Sequence, residues 1–390
     1  MKICFETFGC RLNRSEALAE EARYLAAGHS VVKTHEEADL IVIRGCSVTR
    51  RAEHDSQKLI EHLRTKYPSK QLRIEGCLDE KTEAPPIYLQ ADKSLIDNAI
   101  PVSTARAYLK VQDGCSGKCS FCIVPSFRGS SISENFTATI DKAKRFIEAG
   151  YHEIVVTGCN LSLYASEGKR LPELLFGIAE LSNDCRVRLG SLEPWLAAKE
   201  VVDAIAEHEN ICRFLHIPIQ SGSDRILQEM RRPYTVSDID ELVHHAMKRV
   251  PDASIGCDII TGFPGESDFD FFSTAGLLKR LNFTNAHVFP YSERPGTLAA
   301  GLPLSVPREL RKARAMELSN LVRRARERFA AKHIGREVEI IIEDEKHPSG
   351  WTSDYLWCEI KNLMNVKRKH SLRVRVLEAR RDKLIGVGLK

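Results

Sequence analysis

No run of 18 apolar residues occurs in the 390-residue chain, so a membrane-spanning helix is not expected. The opening "MKICFETFGC" carries one Lys and then an acidic residue instead of a long apolar core, which speaks against a secretory leader. The expectation is a cytoplasmic protein with no membrane association. Two glycosylation sequons, Asn135-Phe-Thr and Asn282-Phe-Thr, are then chance matches. Hydrophobic content of 43% and aromatic content of 7% are ordinary for a globular chain, and the length suits two or three domains. A fourth zinc ligand is also missing where one would be looked for. Cys115, Cys119 and Cys122 stand in "QDGCSGKCSFCIVPSFRG" with no further ligand at matching spacing, which disfavours a structural zinc site.

What is present is cysteine, twelve in all. In a reducing compartment they indicate metal ligation or core packing rather than disulfides. The spacing Cys-x-x-x-Cys-x-x-Cys supplies three thiolates from one short loop. A four-iron cluster on three thiolates keeps one iron open for a substrate. Cys4, Cys185, Cys212, Cys257 and Cys358 fall in or beside apolar strand-like patterns and are assigned to packing.

Charge is unevenly spread. Residues 301–390 carry 21 Lys and Arg against 12 Asp and Glu, a net of +9, so with +4 overall the first 300 residues hold −5. A basic tail on a mildly acidic body suits a polyanionic partner, most simply nucleic acid, or a solvated face.

Residues 1–80 alternate strand-like and helix-like patterns, as a parallel α/β sheet requires. "KICFETF", "ADLIVIRG" and "QLRIEG" read as strands, with helices over Arg14–Ala27 and Val48–Tyr67. Cys10, Cys46 and Cys77 each follow a glycine just after a strand, at the edge where open α/β sheets bind ligands. Three of three at strand ends predicts a second cluster. Residues 81–104 read as a linker with one short element. From 105 to 330, six strand–helix repeats predict an incomplete (β/α)6 barrel, with its functional face at the carboxyl ends of the strands. A helix over Pro307–Ala331 is dense in Arg, a pattern suited to phosphate contacts or to solvent. Residues 333–390 hold "EVEIIIED", "YLWCEI", "LRVRVLEA" and "LIGVGL" as short strands, with "HPSGW" and "RRDK" as turns, which predicts a small β-barrel.

The three-cysteine loop is similar to that of the radical S-adenosylmethionine (SAM) enzymes, whose usual fold is a partial barrel. With "GCRLN", "GCSVT", "LHIPIQSGSDRILQEMRRPYT", "GFPGE" and "YSERPGTLAA", nearly the whole chain resembles the radical SAM methylthiotransferases. "GWTSDYLWCEI" resembles the start of the TRAM module, an RNA-binding β-barrel. The resemblance implies two [4Fe-4S] clusters, one on Cys115, Cys119 and Cys122 that cleaves SAM to a 5′-deoxyadenosyl radical, and one on Cys10, Cys46 and Cys77 that delivers the sulfur. It implies a SAM pocket, for which Phe121, Gly158, Asn160, Glu193, Gln220, Ser221 and Gly222 are the candidates. His216, in an apolar strand, reads as a core histidine, and no acid–base catalyst is singled out.

"GCRLN", "QDGC", "TGCNLSLY" and "MRRPYT" lean to the branch that acts on threonylcarbamoyladenosine at position 37 of tRNA, next to the anticodon. Isopentenyladenosine in tRNA and an aspartate of a ribosomal protein are the substrates of the other branches, and a non-catalytic Fe–S RNA-binding protein is a further reading. The implied partners are a tRNA anticodon loop and an electron donor such as flavodoxin or ferredoxin. Three departures stand out: Arg44-Gly45 where the family has Asn-Thr, "RGSSIS" without a second Arg, and Cys159 where an aliphatic residue is usual.

Overall fold

Strand–helix alternation at the N-terminus folds as expected. In the computed structural model, which describes residues 1–361 and 366–389, four parallel strands form a sheet ordered β2-β1-β3-β4. They are β1 (Lys2–Thr7), β2 (Ser30–Val31), β3 (Leu40–Cys46) and β4 (Gln71–Cys77), connected through helices α1 (Arg11–Ala26) and α2 (Arg50–Lys66). Ile41, Ile43, Ile60, Leu63 and Ile74 are buried together between the sheet and α2. Thr49 caps α2 by accepting the Ala52 N–H, one of the helix-end donors that lack an intrahelical partner. The segment read as a linker contains a 3-10 turn (Ile87–Gln90) and a short helix, α3 (Lys93–Asp97), so it has two elements where one was expected.

Six parallel strands follow: β5 (Ala107–Lys110), β6 (Glu153–Thr157), β7 (Arg186–Leu189), β8 (Phe214–His216), β9 (Ser254–Thr261) and β10 (Asn285–Pro290). They pair as β7-β6-β5 and β8-β9-β10, and parallel bridges Val187↔Ile211 and Ser191↔His216 join the two triplets. Among the described residues β5 and β10 are not paired, so the arc is open, as a partial barrel requires. Helices α4 (Val124–Arg128), α5 (Phe136–Glu148), α6 (Leu171–Ala179), α7 (Ala198–Glu207), α8 (Asp224–Glu229), α9 (Val236–Arg249) and α10 (Asp268–Arg280) connect these strands. Every second strand residue, including Leu109, Val156, Leu189 and Ile255, enters the core shared with these helices. The alternate residues, including Tyr108, Arg188, His216, Asp258 and His287, are left for the inner face. Capping boxes at Thr235/Asp238 and Ser267/Asp270 start α9 and α10.

Helix α11 (Arg308–Ala331) leads into β11 (Glu337–Asp344), β12 (Ser349–Thr352), β13 (Trp357–Lys361), β14 (Ser371–Arg380) and β15 (Lys383–Gly388). They close into a barrel ordered β11-β12-β13-β15-β14, which leaves no open edge. "HPSGW", read as a turn, supplies strand β12, held by β11 on one side and β13 on the other.

The small barrel sits against the amino-terminal end of the large one. Glu153, fully buried, accepts from Arg188 Nε at 2.7 Å and Arg186 Nε at 2.5 Å. The remaining guanidinium N–H groups reach backbone oxygens of the small barrel: Arg188 to Thr352 and Ser353, Arg186 to Glu339 and Trp351. Tyr355 stacks between Phe214 and Trp351 and receives a hydrogen bond from Arg11 Nη2 at 2.8 Å.

Candidate metal centre between two cysteine triads

Strand register assembles the N-terminal triad. Cys46 and Cys77 end β3 and β4 and are paired residues. Cys10 reaches them through the preceding turn: Gly9 lies so close to Cys46 that a Cβ there would stand 2.7 Å from its Sγ. Asn13 fixes two of the three turns, its Nδ2 donating to the carbonyls of Phe8 at 2.9 Å and Gly45 at 2.8 Å. Arg44 lies beneath with Glu16, Glu20 and Glu75 around its guanidinium.

The second triad lies on the loop after β5. Its position is held by backbone bonds from Cys115 N–H to Gly129 O at 3.0 Å and from Ser120 N–H to Met230 O at 3.0 Å. All twelve cysteines are free thiols. Burial pushes the Cys46 thiol up to about 11 and that of Cys122 up to about 12. Cys77 and Cys119 are raised by burial too, against the opposing pull of Arg128 and Arg232. Ligation by these thiols therefore requires a metal able to displace protons.

One guanidinium serves each triad. Arg128 Nε donates to Cys77 Sγ at 3.1 Å, and Arg232 Nη1 donates to Cys119 Sγ at 3.0 Å. Arg128 also donates to Asp113, just ahead of Cys115, so a single side chain touches both neighbourhoods. Burial raises the Asp113 carboxyl, but Lys110 and Arg128 overcome it and hold the group at about 2. Cys159 lies here as well, its Sγ 3.5 Å from Asp113 Oδ1, at the meeting of the two triads rather than in the apolar core. Neither arginine was singled out from the sequence, although "SFRG" and "MRRPYT" contain them.

The seven expected pocket residues do not share one setting. Asn160 Nδ2 is 3.9 Å from Cys115 Sγ, and its buried Oδ1 has no hydrogen-bond partner among the described residues. Gly158 packs on Gln112, whose Oε1 accepts the Asn160 N–H. Burial raises the Glu193 carboxyl while its partner Arg232 opposes that, and Arg232 ties Glu193 to Cys119. Gln220 adopts a left-handed backbone, φ +62°, a conformation costly for a residue with a Cβ. Ser221 and Gly222 instead turn to α10, where Thr274 Oγ1 accepts the Gly222 N–H at 2.9 Å. Phe121 lies against the apolar cluster of Met230, Phe263 and Tyr291. In "GFPGE", Glu266 accepts from the Gly262 N–H and pairs with Arg314 of α11.

His216 is buried as expected, but it faces inward. Its Nδ1 is 2.9 Å from Ser191 Oγ and its Nε2 3.1 Å from Asp258 Oδ1, which His287 Nδ1 also approaches at 3.0 Å. Burial raises the Asp258 carboxyl, yet the two imidazoles hold it well below the usual carboxylate range.

Two thiol triads, each with a charged N–H on one sulfur, and a buried acceptor left free beside Cys115 form a donor set suited to iron–sulfur clusters and a polar ligand.

Residues 109–278 match the Radical SAM superfamily and residues 2–95 match Uncharacterized protein family UPF0004. The threonylcarbamoyladenosine tRNA methylthiotransferase MtaB of Aquifex aeolicus is 30% identical over 88% of this chain and 93% of its own. The Thermotoga maritima protein of that name is 32% identical over 87% and 86%. The tRNA-2-methylthio-N(6)-dimethylallyladenosine synthase of Corynebacterium efficiens is 32% identical over 86% and 74%. Among solved structures, the radical SAM methyltransferase TsrM from Kitasatospora setae shares the fold at a TM-score of 0.53 and 12% identity, covering 77% of each chain.

Proposed function

The chain belongs to the radical SAM methylthiotransferases, and we propose that it adds a methylthio group to carbon 2 of threonylcarbamoyladenosine at position 37, next to the anticodon of tRNA. In this reading Cys115, Cys119 and Cys122 hold the cluster that works with SAM, and Cys10, Cys46 and Cys77 hold a second cluster. When bound, these cofactors supply the radical and the sulfur that an unactivated aromatic carbon demands. The chain's own residues do the rest. Asn160, Glu193 and Gln220 line the SAM pocket beside the first triad, and Gly158 lets the backbone approach. Arg232 fixes Glu193 against Cys119. The division of the chain follows the same proposal: an N-terminal domain over 1–80, a connector over 81–104, a SAM barrel over 105–330, and an RNA-binding barrel over 333–390.

The observation that carries the choice of substrate is the polar inner face of the large barrel. His216, Asp258 and the half-exposed His287 project there. A threonylcarbamoyl group brings a carboxylate, a hydroxyl and amides, which need such partners, whereas a dimethylallyl group calls for an apolar wall. The +9 tail supports a tRNA partner, and a small electron-transfer protein such as flavodoxin or ferredoxin supplies the electrons.

Nucleoside mass spectrometry of tRNA from cells with and without the gene tests the reading. Loss of 2-methylthio-threonylcarbamoyladenosine, with its precursor accumulating, is the expected result. Loss of the methylthiolated isopentenyl nucleoside instead would move the substrate to the other tRNA branch.

A further inference from the structure

Arg128 ends α4, shortly after Cys122, and is almost wholly enclosed, with 9% of its side chain exposed. A guanidinium has five N–H donors in a rigid planar fork, and here each has an acceptor. Nε donates to Cys77 Sγ at 3.1 Å; Nη1 to Glu16 Oε1 at 2.9 Å and Asp113 Oδ1 at 3.0 Å; Nη2 to Asn13 Oδ1 at 2.6 Å and Glu16 Oε2 at 3.0 Å. The acceptors come from three places: the end of β4, helix α1, and the approach to the radical SAM loop.

Asn13 extends the arrangement. Its Oδ1 receives Arg128 while its Nδ2 holds the carbonyls of Phe8 and Gly45, the turns that present Cys10 and Cys46. Arg128 and Asn13 together therefore touch all three turns of the N-terminal triad.

We propose that Arg128 is the positioning residue of the second cluster: it hydrogen-bonds the ligand sulfur of Cys77, sets the potential of that cluster, and fixes the triad against the radical SAM loop. This rests on the reading that Cys10, Cys46 and Cys77 carry a cluster. A positive hydrogen-bond donor on a ligand sulfur favours the reduced, more negative state and so raises the potential. Arg232 plays the matching part at Cys119, so the two clusters are tuned by different residues. Lysine cannot replace Arg128 in full, because a single ammonium has three donors and no planar fork.

The test compares full-length wild-type protein with R128K and R128M, each reconstituted anaerobically, by iron content and by EPR-monitored redox titration of both clusters. If wild type binds one cluster only, the two-cluster reading itself fails, before any variant is compared. With both clusters present, R128M shifts the second cluster to a more negative potential, R128K shifts it less, and the first cluster stays in place. Loss of half the iron from both variants, with 5′-deoxyadenosine still formed from SAM, equally supports a residue on which the second cluster depends. An unchanged second potential at full iron content overturns the proposal. So does an equal shift of both clusters, or loss of iron from both.

Discussion

Cys46 and Cys77 stand opposite one another as the last paired residues of two parallel strands, β3 and β4. The pairing makes their separation a property of the sheet. Two thiols are therefore set before any metal arrives, and the third, Cys10, lies on a turn that packs directly on Cys46.

On the proposed assignment, replacing either member of that pair by Ala removes one ligand of the second cluster and leaves the radical SAM loop untouched. C46A and C77A are expected to lose about half of the iron, to retain cleavage of SAM to 5′-deoxyadenosine, and to lose methylthiolation. Cleavage lost while the first cluster stays loaded would show that the two triads do not divide the labour in this way.

Gly76 is the more delicate position. Its φ is +92°, and a Cβ there would stand 2.4 Å from the carbonyl oxygen of Gly45. G76A must strain the backbone and push β4 from β3 just before the paired cysteines, at a cost of about 1–3 kcal/mol for the conformation alone. Thermal denaturation should show the loss, and iron analysis should show the second cluster depleted first.

The paired strand ends explain why so much of the site was legible. Gly-Cys steps closing apolar runs can be read locally, and so can the spacing of Cys115, Cys119 and Cys122. The strands of the barrel were legible for the same reason, as short apolar runs ending in polar or glycine residues. Arg128 and Arg232 could not be found this way, because their partners lie far along the chain, as Asn13 does from Arg128. The same holds for β12. Pro348 and Gly350 argue for a turn, and only pairing with β11 and β13 makes the segment a strand. Helix α11 was half legible: Arg311 and Arg314 are buried, the first donating to the carbonyls of Tyr291 and Val306, the second paired with Glu266. The density of arginine there overstated what phosphate can reach.

That separation within α11 is testable. Arg324 and Arg328 are exposed and have no ion pair among the described residues. R324A/R328A is expected to leave folding unchanged, to weaken tRNA binding, and to flatten the salt dependence of the affinity by about one unit of slope for each phosphate no longer neutralised. R314A should instead destabilise the fold by about 3–5 kcal/mol, because Glu266 is left buried without its partner. Filter binding over a salt series and chemical denaturation distinguish the two effects.

Glu153 joins the two barrels. Burial raises its carboxyl, but Arg188, Arg186 and Arg106 hold it well below the usual carboxylate range. It is therefore ionised throughout ordinary pH, and its contribution is lost only as pH falls through the lowered value. E153A leaves buried guanidinium groups without an anion and is expected to cost about 3–5 kcal/mol. Hydrogen exchange should show the loosening first in Trp351–Tyr355 and in β7.

His333 and Asp354 give the small barrel a pH dependence of opposite sign. Burial lowers the His333 imidazole, but the Asp354 carboxylate, 2.5 Å from its Nε2, and the Phe329 carbonyl raise it above the ordinary value, with Arg336 opposing. A raised imidazole stabilises fully below its unfolded pKa, about 6.5, and the effect fades as pH rises through the folded value. Asp354 is lowered, so its share is present above about pH 4 and fades in acid. Wild type should exceed H333Q in stability most between about pH 4 and 6.5, with the gap closing in alkali. Urea denaturation at several pH values reads this directly.

The parallel pairing of β15 with β13 has a consequence for synthesis of the chain. Strand β15 lies between β13 and β14, so the small barrel cannot close until that strand has left the ribosome. Until then, the segment that carries Tyr355 has no finished scaffold, and Phe214 with the buried arginines beneath it waits uncovered. The N-terminal sheet and its thiols are complete long before, since domains form in order as they emerge. The thiols of the first half are therefore in place while the barrel that covers Phe214 and the buried arginines is still being made.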